Sequence, residues 1–140
     1  MKTLKKILIV ILYSILLSAT CCKDDENCHD SIFIVNNSDK AIYFDYSNRY
    51  PDTLTLYPNP ALDPSYFKID SHSSKNDITR DCFEDQIKLN KNGIIMYYFY
   101  DAHTLETIPW DTVAKKYLVL KRYDLSLADL QRMNWTITYP

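Results

Sequence analysis

Residues 94–100 read Ile-Ile-Met-Tyr-Tyr-Phe-Tyr, an unbroken apolar run that holds four aromatic rings. Seven residues is an ordinary strand length, and aromatic and β-branched side chains favour the pleated, packed surface of a sheet. Successive side chains of a strand point to opposite faces, so a strand that is apolar at every position must be covered on both sides. We therefore predict a central strand here, in a fold that is more than one layer deep.

Two hairpins are predicted around polar connectors. Residues 31–35 and 41–46 are strand-like and flank a run of turn formers at 36–40. Residues 86–89 and 94–100 flank Asn92-Gly93, a dipeptide that suits the positive φ angles of a two-residue hairpin turn. Further strands are predicted at residues 65–69, 117–120 and 135–139, a possible pairing segment at 53–57, and a mobile polar loop at 71–81.

The last third of the chain carries two helical signals. Pro109 suits the first position of a helix over residues 109–115. Ser126 and Asp129 have the spacing of a capping box, which predicts a second short helix. The expected fold is mainly β: a single antiparallel β-sandwich, immunoglobulin-like or similar, over residues 31–140, with one or two short helices near the C-terminus.

The first 26 residues have the layout of an export signal. Three lysines precede an apolar run at residues 7–17, and small residues follow before Cys21 and Cys22. The run is about half of the roughly 20 residues that a membrane span needs, so residues 1–20 are predicted to be a removable signal peptide.

A cysteine directly after small residues resembles the signal of bacterial lipoproteins, in which that thiol is acylated and the preceding peptide is cut away. Residues 21–26 also resemble the Cys-X-Lys-acid-acid export signal of Bacteroidetes surface lipoproteins, although a solvated tether has the same charges. The resemblance implies a lipid such as palmitate on Cys21, or alternatively on Cys22, and a tether over residues 21–30. It implies an outer-membrane location facing the cell exterior, where two or three acyl chains anchor stably.

A second resemblance covers most of the remaining chain. Residues 104–113 and 117–140, together with 36–38 and 50–53, resemble a family of small, uncharacterised Bacteroidales lipoproteins. That resemblance implies an envelope location and a single domain, and it implies no activity.

Charge and composition exclude several functions. Removing residues 1–20 leaves 120 of 140 residues and takes away three lysines, so 13 basic residues face 18 acidic ones, a balance of −5. Such a chain lacks the clustered positive charge that nucleic acid requires. The single glycine, Gly93, excludes glycine-rich phosphate loops, dinucleotide fingerprints and the G-x-S-x-G elbow. The three histidines are scattered, so no metal site and no cofactor are predicted.

Cys28 and Cys82 are candidates for a disulfide, because disulfides persist in an exported protein. The bridge would join the start of the domain to its middle and stabilise it by roughly 2–4 kcal/mol. Two separate thiols are the alternative, since pairing depends on geometry.

Three short segments match the Asp-Ser/Thr-apolar acceptor pattern of O-glycosylation in Bacteroides-type envelopes. Chance and the turn preferences of Asp and Thr explain the same pattern. The best acceptor is Thr53, which lies in a predicted loop with prolines at residues 51, 58, 60 and 64. The three candidates are Ser31, Thr53 and Thr112.

Two main functions follow. The first is a surface-exposed binding or assembly module without catalytic activity, which contacts the membrane through its lipid and an envelope protein or a glycan as partner. A stacking platform for a glycan would use Trp110, Tyr97, Tyr98 and Tyr100, although such rings commonly fill the cores of small β domains. The alternative is a small envelope hydrolase acting on glycan or peptide, with a pair of carboxylates drawn from Glu84, Asp85, Asp101, Glu106 and Asp111. A passive structural or immunity-type surface protein is a third possibility.

Overall fold

The computed structural model describes residues 28–51, 58–90 and 92–140. These residues form seven strands in two sheets, five short α-helices and one 3-10 helix at Pro60–Leu62. The strands are β1 (Ser31–Asn36), β2 (Ile42–Ser47), β3 (Lys68–Ile69), β4 (Ser73–Ile78), β5 (Ile94–Asp101), β6 (Lys121–Ser126) and β7 (Thr136–Tyr139). The helices are α1 (Pro64–Phe67), α2 (Phe83–Leu89), α3 (Ala102–Thr107), α4 (Trp110–Lys115) and α5 (Leu127–Arg132). The described residues do not include the predicted signal peptide, Cys21, Cys22, Thr53 or the predicted pairing segment at 53–57.

The strands form a three-stranded sheet in the order β4-β1-β7 and a four-stranded sheet in the order β3-β2-β5-β6. All pairings in the larger sheet are antiparallel. In the smaller sheet β1 is antiparallel to β4 but parallel to β7. The mainly β class is confirmed, whereas the prediction of a purely antiparallel arrangement is wrong because β7 returns beside β1 in the same direction.

Strand β5 is the central strand that the apolar run predicted. It lies between β2 and β6, and six of its eight residues are buried. Ile95, Tyr97 and Phe99 point into a core that they share with Ile32 and Ile34 of the smaller sheet. Its alternate residues, Met96, Tyr98 and Tyr100, pack on the other face against Ala102, Leu105 and Val113 from the helical layer. The chain therefore has three layers: the smaller sheet, the larger sheet, and α3 with α4.

The predicted hairpin between β1 and β2 is wrong, since the two strands lie in different sheets. Residues 37–41 carry the chain from one sheet to the other. Asn36 ends β1 with its side chain fully buried, and its Nδ2 lies within hydrogen-bonding distance of the carbonyls of Lys40, Ile69 and Asp70. Residues 38–40 do bend the chain, but they connect the two sheets and not two strands of one hairpin.

The second predicted hairpin is also wrong, because its first strand is helix α2. Phe83 and Ile87 are spaced by four residues and are both buried, whereas Leu89 is 85% exposed. Glu84 and Asp85 lie in the first turn, where the helix dipole favours negative charge. Gly93 does adopt a positive φ of 62°, but it follows a helix and not a strand.

Of the remaining predictions for single segments, some are confirmed and others are wrong. The two C-terminal helices are confirmed as α4 and α5, and the capping box of Ser126 and Asp129 is complete. The closing strand is confirmed as β7, with Ile137 fully buried. The helices number five among the described residues and are not confined to the C-terminus. Residues 71–81, predicted to be a loop, hold β4, residues 65–69 are mostly α1, and residues 117–120 precede β6.

The two ends of the sheets differ in what they contain. Cys28 and Cys82 form a disulfide at the end where β1 begins, with their Cα atoms 5.1 Å apart. We call this the Cys28 end. The opposite end, where β1, β5 and β7 finish and β2 begins, is called the far end. A strand of eight residues such as β5 spans about 27 Å between the two ends. Within the described ranges, every helix is too short or too polar to cross a membrane.

Candidate binding site at the far end of the sheets

Two adjoining hollows open at the far end. One has a volume of about 490 Å³ and is lined by residues that include Ile42, Thr104, Leu120 and Tyr139. The other has a volume of about 460 Å³ and is lined by residues that include Lys68, His103 and Glu106. Lys40 and Asp101 line both hollows. We call the two hollows together the far-end hollow.

Asn36 holds the connector that supplies Ser38 and Lys40 to the hollow. Its Oδ1 accepts hydrogen bonds from the backbone N–H and the hydroxyl of Ser38, at 3.0 and 2.7 Å. Its Nδ2 lies 2.8 Å from the carbonyl of Lys40. A buried amide with its polar atoms satisfied holds the connector in one conformation. Asn36 is the positioning residue that the sequence did not single out; the run Asn36-Asn37-Ser38 signals only a turn.

Asp101 is committed to capping α3. Its Oδ2 accepts hydrogen bonds from the backbone N–H and the hydroxyl of Thr104, at 2.8 and 2.9 Å. Burial raises the pKa of Asp101, but the bonds from Thr104 and the charge of Lys40 outweigh it and hold that pKa below its ordinary value. Asp101 is therefore an ionised wall residue at neutral pH.

Glu106 forms the other acidic wall. Its Oε1 lies 2.7 Å from Nζ of Lys68 and accepts a hydrogen bond from the hydroxyl of Tyr43 at 3.0 Å. These two donors lower the pKa of Glu106. In turn, burial and the contact with Glu106 raise the pKa of Tyr43 to about 12.

Lys40 supplies the hollow with an ammonium group that is available to a ligand. It is exposed, and it forms no ion pair within the described part of the chain. The neighbouring Asp39 pairs instead with His72, with Oδ1 and Nε2 2.8 Å apart. The hollow therefore combines one open ammonium group, two ionised carboxylates and an apolar wall.

The candidate hydrolase carboxylates are only partly brought together. Asp101 and Glu106 line the same hollow, with His103 between them in the chain. Glu84 lies at the Cys28 end, and Asp85 pairs with Lys88 at 3.6 Å. Glycoside hydrolysis needs one carboxylic acid with a raised pKa, whereas Asp101 and Glu106 both have lowered ones.

The three tyrosines of the candidate stacking platform are buried. Tyr97, Tyr98 and Tyr100 are at most 1% exposed, so they fill the two cores and present no ring to a ligand. Trp110 is half-buried and packs edge-on against Tyr100, with ring centroids 5.8 Å apart. The core-filling alternative applies because β5 is covered on both faces. Of the predicted glycosylation acceptors, Ser31 and Thr112 are both half-buried.

A second cluster surrounds the disulfide at the Cys28 end. The backbone N–H of His29 donates to Glu84 at 2.9 Å, and His29 Nδ1 lies 2.5 Å from the other carboxylate oxygen. The imidazole stacks on Trp135 with ring centroids 4.0 Å apart. Burial raises the pKa of Glu84, but the bonds from His29 outweigh it and lower that pKa overall. This cluster joins the residues just before β1 to the start of helix α2.

Two further carboxylates are buried in the body of the protein. Asp77 accepts hydrogen bonds from the hydroxyls of Tyr66 and Tyr97, both at 2.6 Å, and burial nevertheless raises its pKa. Asp45 is 6% exposed, and within the described residues its Oδ2 has no hydrogen-bond partner. Burial raises the pKa of Asp45 to about 7, against the lowering effect of the Tyr46 N–H.

The described residues hold no group of three His, Cys, Asp or Glu side chains that could bind a metal ion. Comparison of the chain with protein-family models, with curated proteins and with solved structures found no match.

Proposed function

We propose that this protein is an envelope lipoprotein that acts as a binding or assembly module without catalytic activity, with the far-end hollow as its binding site. In this proposal the lipid is attached to Cys21, or alternatively to Cys22, and the domain faces the exterior of the outer membrane. The partner is an envelope protein or a glycan.

The observation that carries the proposal is the position of the two ends. The chain enters the domain at Cys28, beside the disulfide, and the hollow lies at the opposite end of the sheets. A domain anchored through residues just before Cys28 would carry its hollow away from the membrane, by about the 27 Å length of β5.

The chemistry of the hollow favours binding. Asp101 is used as a helix cap and Glu106 is paired with Lys68, so neither carboxylate is held protonated for acid catalysis. Leu120 and Tyr139 offer apolar contact beside Lys40. A mostly apolar wall with a few fixed polar groups is the usual composition of a ligand site.

The anchor is tested by metabolic labelling with palmitate in the producing cells. The wild-type protein should incorporate label, the Cys21→Ala variant should lose it, and Cys22→Ala should keep it. Label lost only in Cys22→Ala would move the acceptor to Cys22. An unlabelled wild-type protein would remove the anchor from the proposal.

The far-end site is tested by photo-crosslinking in intact cells. A benzophenone amino acid is placed at Leu120, which is 50% exposed in the hollow, or at Leu89, which is 85% exposed at the Cys28 end. One discrete adduct from position 120, absent from position 89 and weakened by Lys40→Gln, would support the module. Equal adducts from both positions, or none from position 120, would contradict it.

The small hydrolase remains the second candidate, because Asp101 and Glu106 line one hollow. It predicts release of product from envelope glycan or peptide that is lost in Glu106→Gln. Turnover of that kind by the purified protein would replace the module with the enzyme.

Two finer structural assignments belong to the same proposal. We assign the fold as a β-sandwich, since side chains of both sheets share one core. We also keep Ser31, Thr53 and Thr112 as O-glycan acceptors. The test is the intact mass of protein isolated from its native cells, because a mass equal to peptide plus lipid alone would remove the O-glycans.

A further inference from the structure

The outer face of the smaller sheet carries eight side chains that point away from the core. They follow from the alternation of β1, β4 and β7 and from the pairing register, since register partners lie on the same face. The apolar members are Phe33, Val35 and Ile78, and the polar members are Ser31, Ser74, Asn76, Thr136 and Thr138. We call this set the outer face.

None of these eight side chains is charged. Charged residues make up 24% of the chain, so a random set of eight would hold about two. Water-exposed protein surfaces commonly carry interspersed charged residues of both signs, which discourage unwanted association. The outer face instead combines hydroxyl and amide groups with exposed apolar groups.

The face is open to solvent. Phe33 is 42% exposed and Ile78 is 60% exposed, although both are large apolar residues. Asn76, Ser74 and Thr138 are exposed as well. Across the described residues, the side chains of Asn76 and Thr138 have no hydrogen-bond partner within the protein, and Thr136 donates to the carbonyl of Asn134 at 3.2 Å.

The polar groups flank the aromatic ring. The register places Asn76 of β4 on one side of Phe33 and Thr136 of β7 on the other. Neighbouring strands are about 4.8 Å apart, so an amide and a hydroxyl lie one strand away from the phenyl ring on each side. A sugar ring has matching chemistry, with C–H groups on its faces and hydroxyls around its edge.

The size of the face argues against a protein partner. Two strands about 20 Å long and one about 14 Å long, spaced about 4.8 Å apart, cover about 260 Å². A stable protein interface takes about 800 Å² from each partner, so a second copy of this chain would be held by too small an area. A ligand that is narrow and extended fits the face better.

We propose that the outer face binds a neutral glycan chain, with one sugar ring stacked on Phe33 and its hydroxyls bonded to Asn76 and Thr136. Because the face has no charge, it offers nothing specific to phosphate, sulfate or carboxylate groups. This surface is separate from the far-end hollow, and its failure would leave the proposal for the hollow unchanged.

Affinity electrophoresis tests the proposal on the full protein, purified in detergent from the producing cells. Native gels contain dextran, mannan, galactomannan, xyloglucan or laminarin as neutral polysaccharides, and alginate or heparin as anionic ones. At least one neutral polysaccharide should retard the wild-type protein, and neither anionic one should. Phe33→Ala should weaken the retardation about tenfold, since loss of one ring contact is worth about that factor.

Matched variants separate stacking from other effects. Phe33→Tyr keeps the ring and should bind nearly as the wild type does, and Asn76→Ala should bind more weakly. Leu89→Ala removes an apolar side chain that is even more exposed than Phe33, at the Cys28 end, and should change nothing. No retardation by any neutral polysaccharide, or retardation that Phe33→Ala leaves intact, would overturn the proposal. Phe33-dependent binding to protein-free phospholipid vesicles, or Phe33-dependent dimerisation in sedimentation equilibrium, would overturn it in favour of a lipid surface or a second copy.

Discussion

Tyr97 of the larger sheet donates its phenolic hydrogen to Asp77 of the smaller sheet, at 2.6 Å and within the buried core. Asp77 is 1% exposed and Tyr97 is fully buried, so the bond crosses between the two sheets without access to water. The hydroxyl of Tyr66 donates a second hydrogen bond to the same carboxylate, at 2.6 Å. A buried charge is tolerated only when it is hydrogen-bonded, so the three side chains act as a unit.

Replacing Tyr97 with Phe should lower the free energy of unfolding by about 1–3 kcal/mol, because Asp77 loses one of its two hydroxyl donors, the fully buried one. Urea denaturation at neutral pH measures the loss. Tyr123→Phe is the matched control, since the Tyr123 hydroxyl donates to the exposed carbonyl of Thr138. Equal stability of both variants would show that the bond between the sheets contributes nothing.

Asp45 should make the protein less stable as the pH rises through the neutral range. Its pKa is about 7 in the folded chain against an ordinary 3.8, so the unfolded chain loses its proton first. The contribution of the protonated Asp45 carboxyl to stability is therefore fully present below about pH 4 and is lost as the pH rises from about 4 to 7, a change of up to about 4 kcal/mol. Asp45→Asn should remove this dependence and stabilise the protein at pH 8.

Unfolding curves at pH 4 and pH 8 check the prediction for Asp45. The exposed Asp81 provides the control variant, because Asp81→Asn should leave the difference between the two pH values as in the wild type. An Asp45→Asn protein that keeps the wild-type difference would assign the pH dependence to other groups.

Removing the disulfide should destabilise the domain. It closes a sequence separation of 54 residues, for which chain entropy gives about 4 kcal/mol. Cys28→Ser with Cys82→Ser should lower the urea midpoint, and dithiothreitol should lower the wild-type midpoint to about the same value. Insensitivity of the wild type to the reductant, at full reduction of its thiols, would contradict the prediction.

Asn36→Ala should loosen the far-end hollow as well as the fold. The substitution leaves several buried backbone groups without their partner, a loss of about 2–4 kcal/mol. Amide hydrogen exchange of residues 37–40 should accelerate more than exchange in α5. Asn37→Ala, at the exposed neighbouring position, should alter neither stability nor exchange. If exchange in the connector is unchanged in Asn36→Ala, Asn36 does not position the hollow.

The sequence predicted what depends on pattern alone. The run at residues 94–100 must be covered on both faces wherever it lies, and the structure covers it on both. The capping box of Ser126 is equally local, because its two hydrogen bonds join residues three apart. Hydrogen bonds between residues so close in the chain can form whatever the surrounding tertiary structure is.

The predictions that were wrong concern segments whose structure depends on tertiary contacts. Turn formers at residues 36–40 serve a hairpin and a crossing between sheets equally well, and only the buried contacts of Asn36 with Ile69 and Asp70 distinguish them. Strand β4 reads Ser-Ser-Lys-Asn-Asp-Ile, which has no apolar alternation, because Asp77 occupies an inward position with hydroxyl partners from elsewhere in the chain. Both the hollow and the outer face depend on such distant pairings.

The parallel pairing of β1 with β7 sets an order of events during synthesis. The middle strand of the smaller sheet is the first of the described strands in chain order, and one of its two neighbours is formed by residues 136–139. Until those residues have emerged from the ribosome, β1 has a bare edge and the sheet is incomplete. Pairings between such distant segments also form slowly. The larger sheet needs no residue beyond Ser126, so the smaller sheet is the last part of the described fold that can be completed.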